Sequence, residues 1–131
     1  MLTIVDKLQN IFFVSFGALL GVNIRFILYK KFEKLNILNY YSILIINTFA
    51  SFFLGLFISI QKPISSYNFS SQLVLFFSIG FLGALSTLSS FVYDLFDLFL
   101  QYKFLRALKL FVLSLSLGLI ALLFGSLIAK Q

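Results

Sequence analysis

Small polar residues recur at helical spacing inside a strongly apolar sequence, where they could take the place of water around an ion. Asn47, Ser51 and Gly55 follow one another at four-residue intervals, so in a helix they share one face. The run from 80 to 91 contains two glycines and four hydroxyl side chains. Amide hydrogens and hydroxyls offer partial charges that can line an ion path without trapping the ion. The alternative interpretation of Asn47 is a hydrogen bond that holds two helices together.

Composition excludes most other chemistry. The 131-residue chain has no Cys and no His, which removes the usual ligands of zinc, haem and iron–sulfur clusters and the commonest general base. Four carboxylates remain, and none lies inside a clearly apolar span: Asp6, Glu33, Asp94 and Asp97. We therefore expect that the chain is not an enzyme. Its ten basic residues are scattered between apolar blocks, so we expect no nucleic-acid partner.

The apolar blocks that carry the polar residues are long enough to cross a membrane. Hydrophobic residues make up 61% of the chain, charged residues 11%, and the mean hydropathy is +1.08. Because a spanning helix needs about 20 apolar residues, we predict an all-α integral membrane protein with four transmembrane helices, at about 8–28, 41–60, 73–91 and 108–129. Residues 1–131 then form a single four-helix transmembrane domain, whose first apolar run is too long for a removable signal.

The small residues of the first two spans predict close helix packing. Gly17 and Gly21 form a GxxxG pair, which lets another helix approach closely. Ser51 and Gly55 extend the same kind of surface on the second span. Arg25 near the end of the first span either reaches the membrane interface or acts at the mouth of a pathway.

The third span combines glycines and hydroxyls where lipid demands unbroken hydrogen bonding. Such a composition weakens a helix, and non-helical backbone at membrane depth is tolerated only beside protein or a water-filled cavity. We therefore predict that the third helix is broken and that the break exposes main-chain oxygens to a cation. A continuous helix that uses its small residues for packing is the alternative.

Basic residues are distributed unevenly between the two membrane faces. The loops between spans one and two and between spans three and four carry Lys30, Lys31, Lys34, Lys103, Arg106 and Lys109. The opposite face carries Lys7, Lys62 and Lys130. Since cytoplasmic loops are enriched in cations, the six-to-three distribution weakly favours both termini outside. A chain that inserts in both orientations is expected nearer to balance, so the distribution also favours a partner of opposite bias.

Three motifs, in order and at matching spacing, resemble those of the CrcB/Fluc family of fluoride channels. The run Gly80-Phe81-Leu82-Gly83-Ala84-Leu85-Ser86-Thr87-Leu88-Ser89-Ser90-Phe91 is similar to the family signature Gly-Phe-Cys-Gly-Gly-Leu-Thr-Thr-Phe-Ser-Thr-Phe. The first span resembles Gly-Gly-x-x-Gly-x-x-x-Arg at 17–25, and the second resembles Asn-x-x-Gly-x-Phe-x-x-Gly at 47–55, with alanine replacing one glycine. The four-span architecture covers essentially the whole chain.

The resemblance implies an antiparallel dimer of the dual-topology type with a structural sodium ion at its interface. Main-chain oxygens of Gly83 and Ser86 fall on the sodium ligands, and Asn47 falls on the pore asparagine. The remaining pore-lining positions are Leu88, Ser89, Ser90, Phe91 and Ser114. Leu88 departs from the family because it replaces the first of two pore phenylalanines, whose ring edges can meet an anion. Asp94, at the mouth or in a structural role, stands where the family commonly has glutamate.

The function implied by the resemblance is a fluoride-selective passive channel that exports cytoplasmic fluoride. Its partners would be fluoride, the lipid bilayer of the cell membrane, and a second inverted subunit that is an identical copy or a paralogue. Two alternatives stay open. A small proton-coupled multidrug exporter also has four short helices but needs a membrane-embedded carboxylate, and a noncatalytic assembly subunit would not need the polar run in the third span.

Overall fold

In the computed structural model, every secondary-structure element of the described residues, 3–36, 39–61 and 68–129, is a helix. The α-helices are α1 (Ile4–Lys34), α2 (Asn39–Gln61), α3 (Asn68–Val74), α4 (Gly83–Leu85), α5 (Leu88–Leu100) and α6 (Phe104–Ile128). A π-helix, π1 (Leu75–Leu82), joins α3 to α4. The fold is therefore all-α, as the hydropathy pattern predicts.

Four helical stretches are long and apolar enough to cross a membrane, which confirms the predicted number of spans. They are Ile4–Lys34, Tyr40–Ile60, Ser71–Leu100 and Phe104–Ile128. The third stretch combines most of α3 with π1, α4 and α5. The loop at 62–67 lies outside the described residues, and so do Lys62 and Lys130, two of the three cations assigned to the less basic face.

The first helix is longer than its predicted span at both ends because polar groups cap it. Thr3 and Asp6 form a capping box, in which each side chain satisfies the main-chain N–H of the other residue. At the other end, Lys31 and Lys34 lie in the last turn, where cations interact favourably with the helix dipole. The helix can therefore continue beyond the hydrocarbon into water.

The first helix packs against π1 through glycines on both sides of the contact. A Cβ atom added at Gly17 would lie 2.3 Å from the main-chain oxygen of Phe76, and one at Gly21 would lie 2.3 Å from that of Phe81. From the other side, a Cβ at Gly80 would lie 2.6 Å from the oxygen of Val14. The two backbones are therefore closer than they could be if these three positions carried a side chain.

The second and sixth helices form the other close pair. A Cβ atom added at Gly55 would lie 2.1 Å from the main-chain oxygen of Leu122, and one at Gly125 would lie 2.1 Å from that of Phe52. Beside them, Ser51 Oγ lies 3.6 Å from the Cβ position of Gly118, which is an ordinary contact. The third span is positioned by both pairs, since π1 packs on α1 and α5 packs on α2 and α6.

The buried apolar residues form two small clusters, while most large apolar side chains point outward. One cluster contains Ile43, Phe91, Leu98, Ala107 and Leu110. The other contains Ile46, Ala50, Leu82 and Leu85. Outward-facing apolar residues suit a chain whose solvent is lipid. The two clusters flank the point at which α4 ends, so they hold the polar run of the third span in place.

Candidate functional site

Ser86 and Thr87 separate α4 from α5 in the middle of the third span. Ser86 has φ −75° and ψ 152°, and Thr87 has φ −144° and ψ 120°, so both residues are extended. The eight-residue π1 lies before them in the chain, and only the single turn of α4 separates π1 from Ser86. π-Helical turns are rare and occur frequently at functional sites. The backbone geometry therefore changes twice within the run from 75 to 88.

Asn47 on α2 forms a double hydrogen bond with the main chain of Thr87. The Thr87 N–H donates to Asn47 Oδ1 at 3.0 Å, and Asn47 Nδ2 donates to the Thr87 oxygen at 3.3 Å. The side-chain amide thereby takes the place of a neighbouring peptide group. It satisfies two main-chain groups that would otherwise be costly to leave unpaired inside a membrane.

Hydrogen bonds around Thr87 remove the helical donors from two main-chain oxygens. In a continuous α-helix, the N–H of Thr87 would donate to the oxygen of Gly83, and the N–H of Ser90 would donate to that of Ser86. Instead, Thr87 N–H donates to Asn47, and Ser90 N–H donates to Thr87 Oγ1 at 3.4 Å. The oxygens of Gly83 and Ser86 are therefore left to other partners. Gly83 is itself exposed on the surface of the chain.

The oxygens of Gly83 and Ser86 stand at the positions that the motif resemblance assigns to a sodium ion. No cluster of three or more His, Cys, Asp or Glu residues able to hold a metal ion occurs among residues 3–36, 39–61 and 68–129. A cation that resides here would rely on main-chain oxygens, as the motif resemblance implies for Gly83 and Ser86. The hydroxyl of Ser86 points back along the helix and donates to the oxygen of Leu82 at 3.1 Å.

The hydroxyls after Ser86 converge on a single atom, Thr87 Oγ1. Ser89 Oγ lies 3.1 Å from it, and Ser90 Oγ lies 3.3 Å from it. Thr87 is also the N-cap of α5, because its hydroxyl accepts the Ser90 N–H. The resulting hydroxyl cluster has O–H groups whose rotation can adapt to either a donor or an acceptor.

Two neighbouring cavities bring Arg25 and Asp94 near the hydroxyl cluster. One has a volume of about 240 Å³ and is lined by Val22, Arg25, Phe26, Tyr29, Ile43, Ile46, Thr87 and Ser90. The other has a volume of about 340 Å³ and is lined by Tyr29, Ile43, Ser89, Ser90, Tyr93 and Asp94. Tyr29, Ile43 and Ser90 line both cavities. Asp94 is only 6% exposed, and its Oδ2 has no hydrogen-bond partner within the described part of the chain.

Three residues expected at the pathway lie apart from these cavities in the single chain. Leu88 is 74% exposed on the outer surface. Phe91 is buried in the first apolar cluster, and its ring stacks on Phe111 with centroids 6.4 Å apart. Ser114 is partly buried on α6 and lines neither cavity. Asn47, Arg25, Ser89, Ser90 and Asp94 are the residues that the fold brings to one region.

Sequence reasoning did not single out Thr87, which pairs with Asn47 and gathers the hydroxyls. A local signal was present, because threonine three residues before Ser90 is a preferred N-cap in front of an amphipathic helix. The contact between Gly80 and Val14 was also missed, as was the contact between Gly125 and Phe52. Both involve single glycines without the GxxxG spacing that marks the first helix.

Comparison with known proteins assigns the chain to a family. The family model described as CrcB-like protein, Camphor Resistance (CrcB), matches residues 12–126. The chain belongs to the CrcB-like protein family. The matched region includes every site residue discussed above and all four membrane-capable stretches except the ends of the first and last.

Relatives within the CrcB-like family are similar along most of the chain. The chain is 56% identical over 124 residues to "Fluoride-specific ion channel FluC 2" of Prochlorococcus marinus (strain NATL2A), which covers 95% of this chain and 100% of the relative. It is 34% identical over 121 residues to "Fluoride-specific ion channel FluC" of Thermosipho melanesiensis, covering 89% of this chain and 93% of the relative. "Fluoride-specific ion channel FluC 1" of Parasynechococcus marenigrum is 34% identical over 108 residues, covering 82% of this chain and 83% of the relative.

Proposed function

We propose that the chain forms a fluoride-selective passive channel that exports cytoplasmic fluoride across the cell membrane. The observation that carries this proposal is the 56% identity, over 95% of the chain, to a relative named as a fluoride-specific ion channel. Four membrane-capable helices and a polar site between them fit this function. Passive conduction needs no catalytic group, so the chain acts as a channel and not as an enzyme.

The third span functions as a broken helix in this proposal. The extended Ser86 and Thr87 redirect the donors that would have occupied the oxygens of Gly83 and Ser86. Those two oxygens would hold a structural sodium ion together with the same atoms of the second subunit. When bound, sodium would supply a fixed positive charge that ties two third spans together. The side chain of residue 86 is not a ligand in this arrangement.

The anion pathway follows the polar residues on the other side of the same segment. Asn47 uses one amide hydrogen on Thr87, and the other is the donor that we assign to fluoride. The hydroxyls of Ser89 and Ser90 continue the pathway toward the cavity of Arg25, where positive charge raises the local anion concentration. Phe91 would offer its ring edge, and Ser114 a further hydroxyl, once the second subunit completes the wall.

The driving force for export comes from the membrane and not from the protein. An inside-negative potential favours exit of a monovalent anion by about 2.3 kcal/mol per 100 mV. Donors along the pathway replace the water that fluoride leaves behind, while the absence of a full cation at each step lets the ion move on. A selective pore is therefore sufficient.

The second subunit in this proposal is inverted, and it is either an identical copy or a paralogue. Gly83 and Leu88 are exposed in the single chain, although both belong to the run expected at the centre of the dimer. In this proposal a second chain covers these residues by meeting the third span face to face. An inverted partner places two third spans together about a two-fold axis, as isologous contacts require.

The first span offers no interior carboxylate to a proton-coupled exporter, although Asp94 and Asp97 lie within the third membrane-capable stretch, Ser71–Leu100. Such an exporter needs a carboxylate in the interior of the membrane to carry protons. Asp6 lies in the first turn of α1, where its Oδ2 accepts hydrogen bonds from Thr3 N at 2.9 Å and from Thr3 Oγ1 at 2.7 Å. It therefore acts as a helix cap.

Fluoride efflux from proteoliposomes tests the proposed function. Vesicles that contain the purified chain are loaded with potassium fluoride or potassium chloride in a buffer that also contains sodium, and valinomycin supplies the potential. We expect rapid fluoride efflux that depends on valinomycin, with little chloride efflux. Proton-dependent cation transport would instead indicate the exporter. Vesicles that behave like protein-free controls with every ion would indicate an assembly subunit or a chain that conducts only with a paralogue.

A further inference from the structure

A large groove opens where the start of α2, the end of α5 and the start of α6 meet. Its volume is about 880 Å³, and its lining residues are Tyr40, Tyr41, Leu98, Lys103, Arg106, Leu108, Lys109, Leu110, Val112 and Leu113. The groove shares no lining residue with the two cavities at the polar site. Three cations stand at one end of it, and apolar side chains line the rest.

The cationic end of the groove lies at the start of α6, a helix that is longer than the hydrocarbon core is thick. A helix of 25 residues is about 37 Å long, whereas the hydrocarbon core is about 30 Å thick. The excess corresponds to roughly five residues, and Arg106 and Lys109 lie within the first six residues of α6. Tyr40 and Tyr41 stand across the groove at the start of α2, as tyrosines do at membrane interfaces.

The cations of the groove have no anionic partner within the described part of the chain. Arg106 and Lys109 are exposed and make no ion pair with the residues that the structure describes. Lys103 donates to the neutral side chain of Gln101. The nearby carboxylate of Asp97 is already held by Tyr40 at 3.0 Å and by Gln101 at 2.8 Å. No side chain caps α6, so the positive end of its helix dipole adds to the same field.

We propose that this groove binds an anionic phospholipid. The headgroup phosphate contacts Arg106 and Lys109, which lie one helical turn apart and therefore face the same side. One acyl chain runs along the apolar wall, over the buried floor made by Leu98 and Leu110. Basic pockets between transmembrane helices suit anionic headgroups, and an adjoining apolar groove distinguishes a lipid from a free anion. The groove lies apart from the two cavities assigned to the fluoride pathway.

Native mass spectrometry of the purified full-length chain tests the proposal. The protein is mixed with equal amounts of phosphatidylglycerol and phosphatidylcholine that carry identical acyl chains. We expect phosphatidylglycerol adducts to dominate, and the double variant Arg106→Gln/Lys109→Gln to lower the ratio of the two adducts by about tenfold or more. The charge-retaining swap Arg106→Lys/Lys109→Arg should keep the preference, and inorganic phosphate should not displace the lipid.

A matched control is available on the same membrane face. The double variant Lys31→Gln/Lys34→Gln removes the same charge from exposed residues of α1 that do not line the groove, and it should leave the ratio unchanged. An equal fall in both double variants would mean a diffuse electrostatic attraction and would overturn the proposal. So would an absence of preference in the unmodified chain, displacement by phosphate, or a changed monomer–dimer ratio with unchanged lipid adducts, which would show that a second copy covers the groove.

Discussion

The side-chain amide of Asn47 pairs with both main-chain groups of Thr87, forty positions further along the chain. This contact joins the second span to the third at Thr87, which with Ser86 has an extended backbone. It gives both main-chain groups of Thr87 a hydrogen-bond partner. Because the Thr87 N–H donates to Asn47, it does not donate to the oxygen of Gly83 as it would in a continuous helix. A polar side chain in one span thus removes the helical donor from a main-chain oxygen in another.

Replacing Asn47 by leucine should reduce fluoride flux and also destabilise the chain. Leucine has a similar size but leaves the N–H and the oxygen of Thr87 without partners, each at a penalty of about 1–3 kcal/mol. Fluoride efflux from proteoliposomes and thermal unfolding of the purified protein measure the two effects. Undiminished flux would remove Asn47 from the pathway.

The variant Thr48→Val is the matched control for this substitution. Thr48 is the next residue on α2, and its hydroxyl bonds only within the helix, to the oxygen of Leu44 at 2.7 Å. We expect it to retain both flux and stability. The variant Asn47→Asp keeps an acceptor for the Thr87 N–H but loses the donor to the Thr87 oxygen. Its unfolding temperature should therefore lie between those of Asn47→Leu and Thr48→Val.

Introducing phenylalanine at Leu88 should preserve or raise fluoride flux. The side chain is 74% exposed in the single chain, so the larger ring needs no repacking within that chain. The new ring edge would offer the partial positive charge that leucine lacks. Leu105→Phe, at another exposed position, controls for added surface area. A strong loss of flux in Leu88→Phe alone would show that this pathway is built without the ring.

Adding a methyl group at Gly55 should destabilise the pair formed by α2 and α6. The new Cβ atom would lie 2.1 Å from the main-chain oxygen of Leu122, so one of the two backbones has to shift. Overpacking of this kind reduces the free energy of unfolding by about 1–3 kcal/mol. SDS-driven unfolding followed by circular dichroism measures it. Gly118→Ala, whose Cβ meets Ser51 Oγ at 3.6 Å, should be tolerated, and equal stability of the two variants would contradict the close approach.

Removing sodium should abolish fluoride flux if Gly83 and Ser86 hold it through main-chain oxygens. Replacement of sodium by N-methylglucamine on both sides of the vesicle should lower the efflux toward that of protein-free vesicles. Ser86→Ala should keep the same dependence on sodium concentration, because the hydroxyl donates to Leu82 and is not a ligand. A changed sodium dependence in Ser86→Ala would assign the ion to the side chain. Flux that is indifferent to sodium would exclude the ion from the mechanism.

The number of spans could be predicted because apolar run length reports directly on membrane crossing, whereas their ends could not be placed so well. The first predicted span, 8–28, is shorter than Ile4–Lys34 because hydropathy stops at the first charges while the hydrogen bonds of the helix continue. The Thr3 and Asp6 pattern was a readable sign of the true start. The π-helical register of 75–82 had no such sign, since it depends on contacts such as that of Gly80 with Val14.

The polar residues of the site could be recognised from sequence because each is conspicuous among apolar neighbours, but their pairing could not. Asn47 was predicted to act on an ion or on another helix, and the structure shows it bonded to the backbone of another span. Thr87 was one hydroxyl among four, and only the three-dimensional arrangement shows that the others gather around it. The position of Phe91 within the chain's own core likewise depends on where α6 packs.

The six-to-three distribution of cations predicts that one orientation predominates when the chain is expressed alone. Fewer inverted pairs would then form than in a balanced chain, and the fluoride flux per chain would lie below that of a balanced variant. The variant Lys31→Gln/Lys34→Gln brings the two faces to four and three cations, so it should raise the flux, while Lys7→Gln, which leaves six and two, should lower it. All three lysines are exposed, so neither change disturbs packing. Equal flux from both variants and the unmodified chain would show that an identical inverted copy forms readily despite the imbalance, and that a paralogue of opposite bias is not required.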